Sequence, residues 1–204
     1  MPVSLTEKYE NVFKDGECRD IFQQMILGIE YRKNTPPLSF FLFFFGGRTI
    51  FLTHQIINKS LELVHEHDII HRDIKPDNLL RSKDDVVKIV DFGVSEMFDK
   101  KGDDMTRKSA GSPAFMAPEL CRPDHGEVSG RATDVWSMGV TLYCLRYGRL
   151  PYVSESILEM QRVIREEDFV LPPEETDPRF VELIRSLLEK DPAKRITIDQ
   201  LRVK

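Results

Sequence analysis

His71-Arg72-Asp73-Ile74-Lys75-Pro76-Asp77-Asn78, followed thirteen positions after Asn78 by Asp91-Phe92-Gly93, is the stretch on which the reading of this chain turns. It sets carboxylate and amide side chains, a lysine and an arginine on two closely spaced loops between short apolar runs. Two acidic groups and an asparagine suit a cation that takes oxygen ligands, Mg²⁺ above all, beside a group that accepts a proton. A third motif, Ala117-Pro118-Glu119, follows after a polar loop. Any one triplet is weak evidence, but the ordered set is hard to reach by chance.

The bulk numbers bound what surrounds these loops. At 204 residues the chain is one domain or a large part of one. Charged residues at 31% and hydrophobic ones at 41% are those of a soluble globular protein. A net charge of -5 gives no electrostatic reason to expect nucleic acid or an anionic membrane. Cys18, Cys121 and Cys144 are isolated and odd in number, so neither a zinc site nor a disulfide frame is indicated. No charged leader followed by an apolar core stands at the start. The expected location is therefore the cytoplasm, with access to the nucleus.

One segment breaks the pattern. Phe22, Met25 and Ile29 recur at helical steps, and Val64-His65-Glu66-His67-Asp68-Ile69-Ile70 leads straight into His71. Residues 32–63 stand between these two pieces. Removing them puts Val64 three positions after Ile29 and keeps the apolar stripe in phase. Within the segment Phe40, Phe41, Phe43, Phe44 and Phe45 crowd into six residues, followed by Gly46-Gly47. A genuine insertion there divides a core helix and leaves new helix ends in the interior. The hypothesis we favour is an intron retained in frame: Arg32-Lys33 accommodates a GTAAG donor, the phenylalanines a T-rich tract, and Leu63-Val64 a TTAG acceptor. A spliced transcript that still encodes Phe40–Phe45 excludes it. The alternative is a loop-out insertion that binds a partner; the apolar run Leu38–Phe45 is too short to span a bilayer.

The ordered motifs resemble the C-terminal lobe of a serine/threonine protein kinase from about Glu17 onward. Three further stretches are similar to the calcium/calmodulin-dependent kinase kinases and their fungal relatives that activate the AMP-activated kinase. They are Gly111-Ser112-Pro113-Ala114-Phe115-Met116-Ala117-Pro118-Glu119, Tyr147-Gly148-Arg149-Leu150-Pro151-Tyr152, and Leu188-Glu189-Lys190-Asp191-Pro192-Ala193-Lys194-Arg195-Ile196-Thr197. The resemblance implies ATP and Mg²⁺ as cofactors and a protein substrate, itself another kinase, with no nucleic acid and no membrane among the partners. By the same resemblance Asp73 accepts the proton of the substrate hydroxyl, Lys75 meets the transferred phosphate, and Asn78 and Asp91 hold the metal. A lysine at 75 and a serine at 112 both suit Ser/Thr over tyrosine specificity. Asp77 is placed to read a basic substrate side chain, and His71 is a packing residue of the loop.

Residues 91–119 are the expected activation segment. The run from Lys100 to Ser109 is charged and polar, which usually means a solvated loop and here implies control by phosphorylation. Counting back from Glu119, the position most often phosphorylated in kinases is occupied by Lys108, a departure from the family pattern. Thr106 and Ser109 are the substitutes, unless the segment needs no phosphate. Arg72 is expected to bind the segment through a phosphate or an acidic neighbour. Asp134 is expected to bond the catalytic-loop backbone, Glu119 and Arg195 to pair, and Phe180, Leu183, Ile184 and Leu187–Leu188 to form a core stripe.

The expected fold is a mostly α kinase-like C-terminal lobe with a few short strands, one at Val87–Val90, within a partial kinase domain over residues 1–204. A kinase also uses a small N-terminal lobe with a Gly-rich loop, a strand lysine and a helix glutamate. Only 17 residues precede Cys18, Gly16 is the sole glycine among them, and Lys8, Lys14 and Lys33 lack strand context. At the other end the chain reaches Leu201-Arg202-Val203-Lys204 where the family continues into a His-Pro-Trp element. The small lobe is thus expected to be missing and the chain alone nearly inactive. The alternative is a non-catalytic lobe that serves as a scaffold or binding module.

Overall fold

The computed structural model describes residues 61–62, 64–81, 87–98, 103–173, 175 and 177–201. The helix expected around Phe22 and nearly all of segment 32–63 lie outside them. Of that segment, Leu61 and Glu62 are described: both are helical and buried, and Leu61 belongs to the main core.

Helix α1, Gly130–Tyr147, is the axis of the molecule. Its start is set by Ser129, whose hydroxyl accepts the Ala132 N–H. Its end is set by Gly148, which takes a left-handed φ of 66° and donates its N–H back to the Cys144 carbonyl. Almost every residue between is buried, including Val135, Trp136, Met138, Val140, Leu142, Tyr143 and Leu145. A helix apolar on all sides must be enclosed on all sides. Three polar residues on it, Thr133, Ser137 and Thr141, escape the cost of burial by donating to carbonyls. Thr133 donates to Gly130 at 2.7 Å, whereas Ser137 and Thr141 reach outward, to Phe115 O at 2.8 Å and Ile74 O at 3.3 Å.

Two amphipathic helices complete the core, one packed on α1 and the other on the turns Pro113–Phe115 and Pro118–Cys121. Ser156 caps α2, Ile157–Glu166, which buries Met160 and Ile164. Asp177 caps α3, Pro178–Leu187, with Pro178 in the first turn where its missing N–H costs nothing. The stripe Phe180, Leu183, Ile184 and Leu187 faces inward, each side chain stabilising the fold by about 1.5–3 kcal/mol. Contact is close enough at Gly139 of α1 that an added Cβ would lie 2.8 Å from Leu187 Cβ. A last short helix, α4, spans Ile198–Leu201.

Among the described residues the strands are short and antiparallel, in three pairs. β1, Ile69–Ile70, pairs with β4, Glu96–Met97. β2, Leu79–Arg81, pairs with β3, which was predicted over Val87–Val90 and runs Val87–Ile89. β5, Met105–Thr106, pairs with β6, Val128–Ser129, immediately before α1. The mostly helical expectation holds among the described residues, and no described helix is long and apolar enough to cross a membrane.

Candidate active site

The loop after β1 is held from beneath by one carboxylate. Asp134, fully buried on α1, accepts the backbone N–H of His71 at 2.9 Å and that of Arg72 at 2.8 Å. His65 Nε2 lies 3.0 Å from the same carboxylate. Arg131 ties down the preceding turn, donating to His65 O at 3.0 Å and to Asp68 Oδ1 at 3.1 Å. Arg72 sits at φ 67°, a left-handed conformation costing a non-glycine residue about 1–2 kcal/mol. Two backbone hydrogen bonds to the Asp134 carboxyl group, from His71 and Arg72, offset that cost. His71 is completely buried: its Nε2 contacts Val90 O at 3.1 Å and its ring meets Phe92 edge-on at 4.8 Å. The two motif loops are thus clamped to one another by a histidine and a phenylalanine.

Asp73 is the centre of the cluster above this clamp. Lys75 Nζ donates to its Oδ2 at 2.8 Å and to Ser112 Oγ at 2.8 Å. Ser112 donates twice to Asp73 Oδ1, through its backbone N–H and its hydroxyl, both at 2.9 Å. Burial alone pushes the Asp73 carboxyl up, but the bonds from Lys75 and Ser112 and the charge of Lys75 outweigh it. The group lies below the ordinary carboxylate range, so at neutral pH it is an acceptor. Gly111 permits the approach of Ser112: at φ 95°, a Cβ on it would lie 2.2 Å from Arg72 O.

Asn78 closes the other side of the cluster. Its Nδ2 donates to Asp73 O at 2.7 Å and Oδ2 at 3.1 Å, which leaves its carbonyl oxygen for a cation. The 3₁₀ turn Pro76–Asn78 delivers it, and Val90 N–H bonds Asn78 O at 2.9 Å as the β2–β3 ladder ends. Asp91, exposed and at φ 65°, follows directly after that bond to Asn78. Among the described residues no three His, Cys, Asp or Glu side chains form a metal cluster. One amide oxygen and one carboxylate do suit Mg²⁺ that keeps most of its ligands from phosphates and water. Asp77, between these groups, is exposed.

Residues 91–119, the expected activation segment, are fastened at both ends. Glu119 and Arg195 form a bidentate pair at 2.7 and 2.8 Å, and the guanidinium also donates to Glu189 O and Ala132 O. Its planar face lies over Trp136 at 5.2 Å. Near the front, Glu96 accepts from Arg72, Thr106 and Lys108. Thr106 is buried and Ser109 exposed, the latter bonded to His125 Nε2 at 2.7 Å. Asp104 reaches the start of α1, bonding Ser129 Oγ and accepting Arg131 N–H at 3.2 Å.

Glu96, Asp104, His65 and Arg131 were not singled out by sequence reasoning. Each makes its contact across 24 or more residues except for the bonds from Glu96 to Thr106 and Lys108, so no local pattern announces it. Gly111 did carry a signal, as a glycine directly before the Ser112 motif.

Comparison with known proteins agrees with this geometry. The family model "Protein kinase domain" matches residues 45–204. The chain is similar to the calcium/calmodulin-dependent protein kinase kinase cmkC of Emericella nidulans, 48% identical over 202 residues, covering 99% of this chain and 32% of that protein. It is also similar to the serine/threonine-protein kinase GRIK2 of Arabidopsis thaliana, at 44% over 139 residues, 68% of this chain and 34% of the relative. A third relative is the serine/threonine-protein kinase STK11 of Gallus gallus, at 42% over 144 residues, 70% of this chain and 32% of the relative. The chain therefore spans about a third of the length of these curated relatives.

Proposed function

Because this chain belongs to the protein kinase family, we propose that it is the C-terminal lobe of a kinase that moves the terminal phosphoryl group of ATP to a serine or threonine of a protein. The observation that carries the reading is the Asp73 cluster: a carboxylate held ionised between Lys75 and Ser112 at 2.8–2.9 Å, with Asn78 beside it. Asp73 orients the incoming hydroxyl and takes its proton at a carboxylate oxygen as the new P–O bond forms and the bond to ADP breaks. Lys75 supplies positive charge at the oxygens of the group in transit. Asn78 and Asp91 would hold Mg²⁺, which when bound would supply positive charge to offset that of the phosphates. Asp77, exposed at the rim, would pair with a basic side chain of the substrate.

The substrate we favour is the activation segment of a second kinase, supported by the printed name of the Emericella nidulans relative, a protein kinase kinase. Of the two hydroxyls assigned to regulatory phosphorylation, Ser109 is exposed and Thr106 buried, so Ser109 is the one open to a kinase while the segment is docked. The 204 residues by themselves contain no Gly-rich phosphate loop. They are therefore expected to be nearly inactive.

The test measures phosphate transfer to a basic Ser/Thr peptide by the chain alone and by a chimaera with a kinase small lobe ahead of it. The chimaera should transfer phosphate, lose activity on chelation of Mg²⁺, and slow by about 10²–10⁴-fold in the Asp73→Asn form. Equal rates for the chimaera and its Asp73→Asn form would overturn the reading.

A further inference from the structure

The front attachment of the activation segment is built around one acidic side chain. Strand register puts Glu96 directly opposite Ile70, two residues ahead of Arg72, so its carboxylate stands next to the catalytic loop. Arg72 Nη1 donates to Glu96 Oε2 at 3.2 Å, while its Nε donates to Val94 O at 2.6 Å. From the other side Thr106 Oγ1 donates to the same Oε2 at 2.9 Å, and Lys108 Nζ to Oε1 at 2.7 Å. Lys108 also donates its backbone N–H to Thr106 Oγ1 at 3.1 Å. Both carboxylate oxygens are in use, and the four side chains join the catalytic loop, β4 and the activation segment. Burial pushes the Glu96 carboxyl up, and the bonds from Lys108 and Thr106 with the charge of Arg72 bring it below its ordinary value.

An arginine on the loop and a lysine on the segment, both turned to one anion, is the arrangement a phosphate on the segment would organise. Here the anion belongs to the neighbouring strand. We propose that Glu96 is a positioning residue that docks the activation segment onto the catalytic loop without any phosphate, and that a phosphate on Thr106 prevents the docking. A phosphorylated Thr106 would bring a charge of about -1.5 to -2 to within hydrogen-bond distance of a carboxylate and convert a donor into an acceptor. Thr106 is buried while the segment is docked, so its phosphorylation follows an opening of the segment and keeps it from docking again. What that loss of docking does to catalysis rests on the phosphoryl-transfer reading, while the docking itself does not.

Hydrogen exchange over residues 103–110, read by mass spectrometry on unphosphorylated full chain, tests the docking without nucleotide or activity. The unmodified protein should show slowed exchange there. Glu96→Gln should raise it by about tenfold or more, as expected for losing charge-assisted bonds, and Glu96→Asp should raise it less. Lys108→Glu gives the decisive sign. Beside Glu96 the second carboxylate should loosen the segment, whereas in the Glu96→Gln background it restores an anion for Arg72 and should tighten it. Lys108 is exposed, so this variant folds even where Glu96→Gln does not. Thr106→Glu should loosen the segment as Lys108→Glu does. Slow exchange that appears only after phosphorylation, or a Lys108→Glu effect of the same sign in both backgrounds, would overturn the proposal. A failed phosphotransfer assay leaves these outcomes readable, and a failed exchange experiment leaves the phosphotransfer reading standing.

Discussion

Two carboxylates grip the His71–Asn78 loop, Asp134 from beneath and Glu96 from in front, and they do it with different kinds of donor. Asp134 is fully buried on α1 and accepts two backbone N–H groups plus a buried histidine. Glu96 accepts only side-chain donors, one of them the exposed ammonium of Lys108. Backbone donors cannot rotate away or be modified, so the grip from beneath is permanent while the fold lasts. Side-chain donors can leave, and one of them is a hydroxyl that can be phosphorylated. The contrast separates an anchor fixed by the fold from one that rests on side chains able to let go.

The strongest challenge to this contrast is Asp134→Ala. It strands the His71 and Arg72 N–H groups and His65 in the interior, and at about 1–3 kcal/mol for each buried orphan the loss should be on the order of 5 kcal/mol. Denaturant unfolding measures it, and a loss under about 1 kcal/mol would mean that the loop is held by something else. Glu119→Ala tests the far end of the activation segment. Breaking a buried pair costs about 3–5 kcal/mol, and the low end applies because Arg195 keeps Glu189 O and Ala132 O. Equal stability to the parent would show that the carbonyls alone hold the guanidinium.

Gly111→Ala should cost about 2 kcal/mol and free the segment, since both the left-handed φ and the close Arg72 carbonyl oppose a Cβ. A melt identical to the parent would show that the segment docks without this approach. A gentler probe is pH. The Glu96 carboxyl is lowered by Lys108, Thr106 and Arg72 against the effect of burial, so its stabilisation is complete above the ordinary value of 4.5. It is lost as pH falls through the lower folded value. Exchange over residues 103–110 should be flat from pH 7 down to about 5 once corrected for intrinsic rates, then rise. The smallest effect is an absence of reaction. Burial pushes the thiols of Cys121 and Cys144 up to about 12, so neither should react with a thiol reagent at pH 8 until the protein unfolds.

How much of this was legible in the sequence differs between the same two grips. The stripe of α3 is a local pattern, and it marks a helix and its buried face without reference to anything distant. The motif loops carry Asp73, Lys75, Asn78 and Asp91 in an order that names a chemistry before any distance is known. The run from Lys100 to Ser109 read as solvated. Thr106 within it is buried, because β5 pairs with Val128–Ser129 and closes over it. Nothing in a charged decapeptide announces a partner strand more than twenty residues downstream. Glu96 was hidden for the same reason, sitting 24 residues from the arginine it meets.

The sequence by itself pointed to a reaction class, through side-chain types at fixed spacings, and to the buried face of α3, through its periodic stripe. Those properties depend on neighbours along the chain. Only the tertiary structure decided which charges neutralise which: that Asp134 serves the loop backbone, that Arg195 answers Glu119, and that the anion facing Arg72 comes from β4. Electrostatic partnership acts over a few ångströms of space whatever the separation in sequence, and strand register and helix packing set those ångströms.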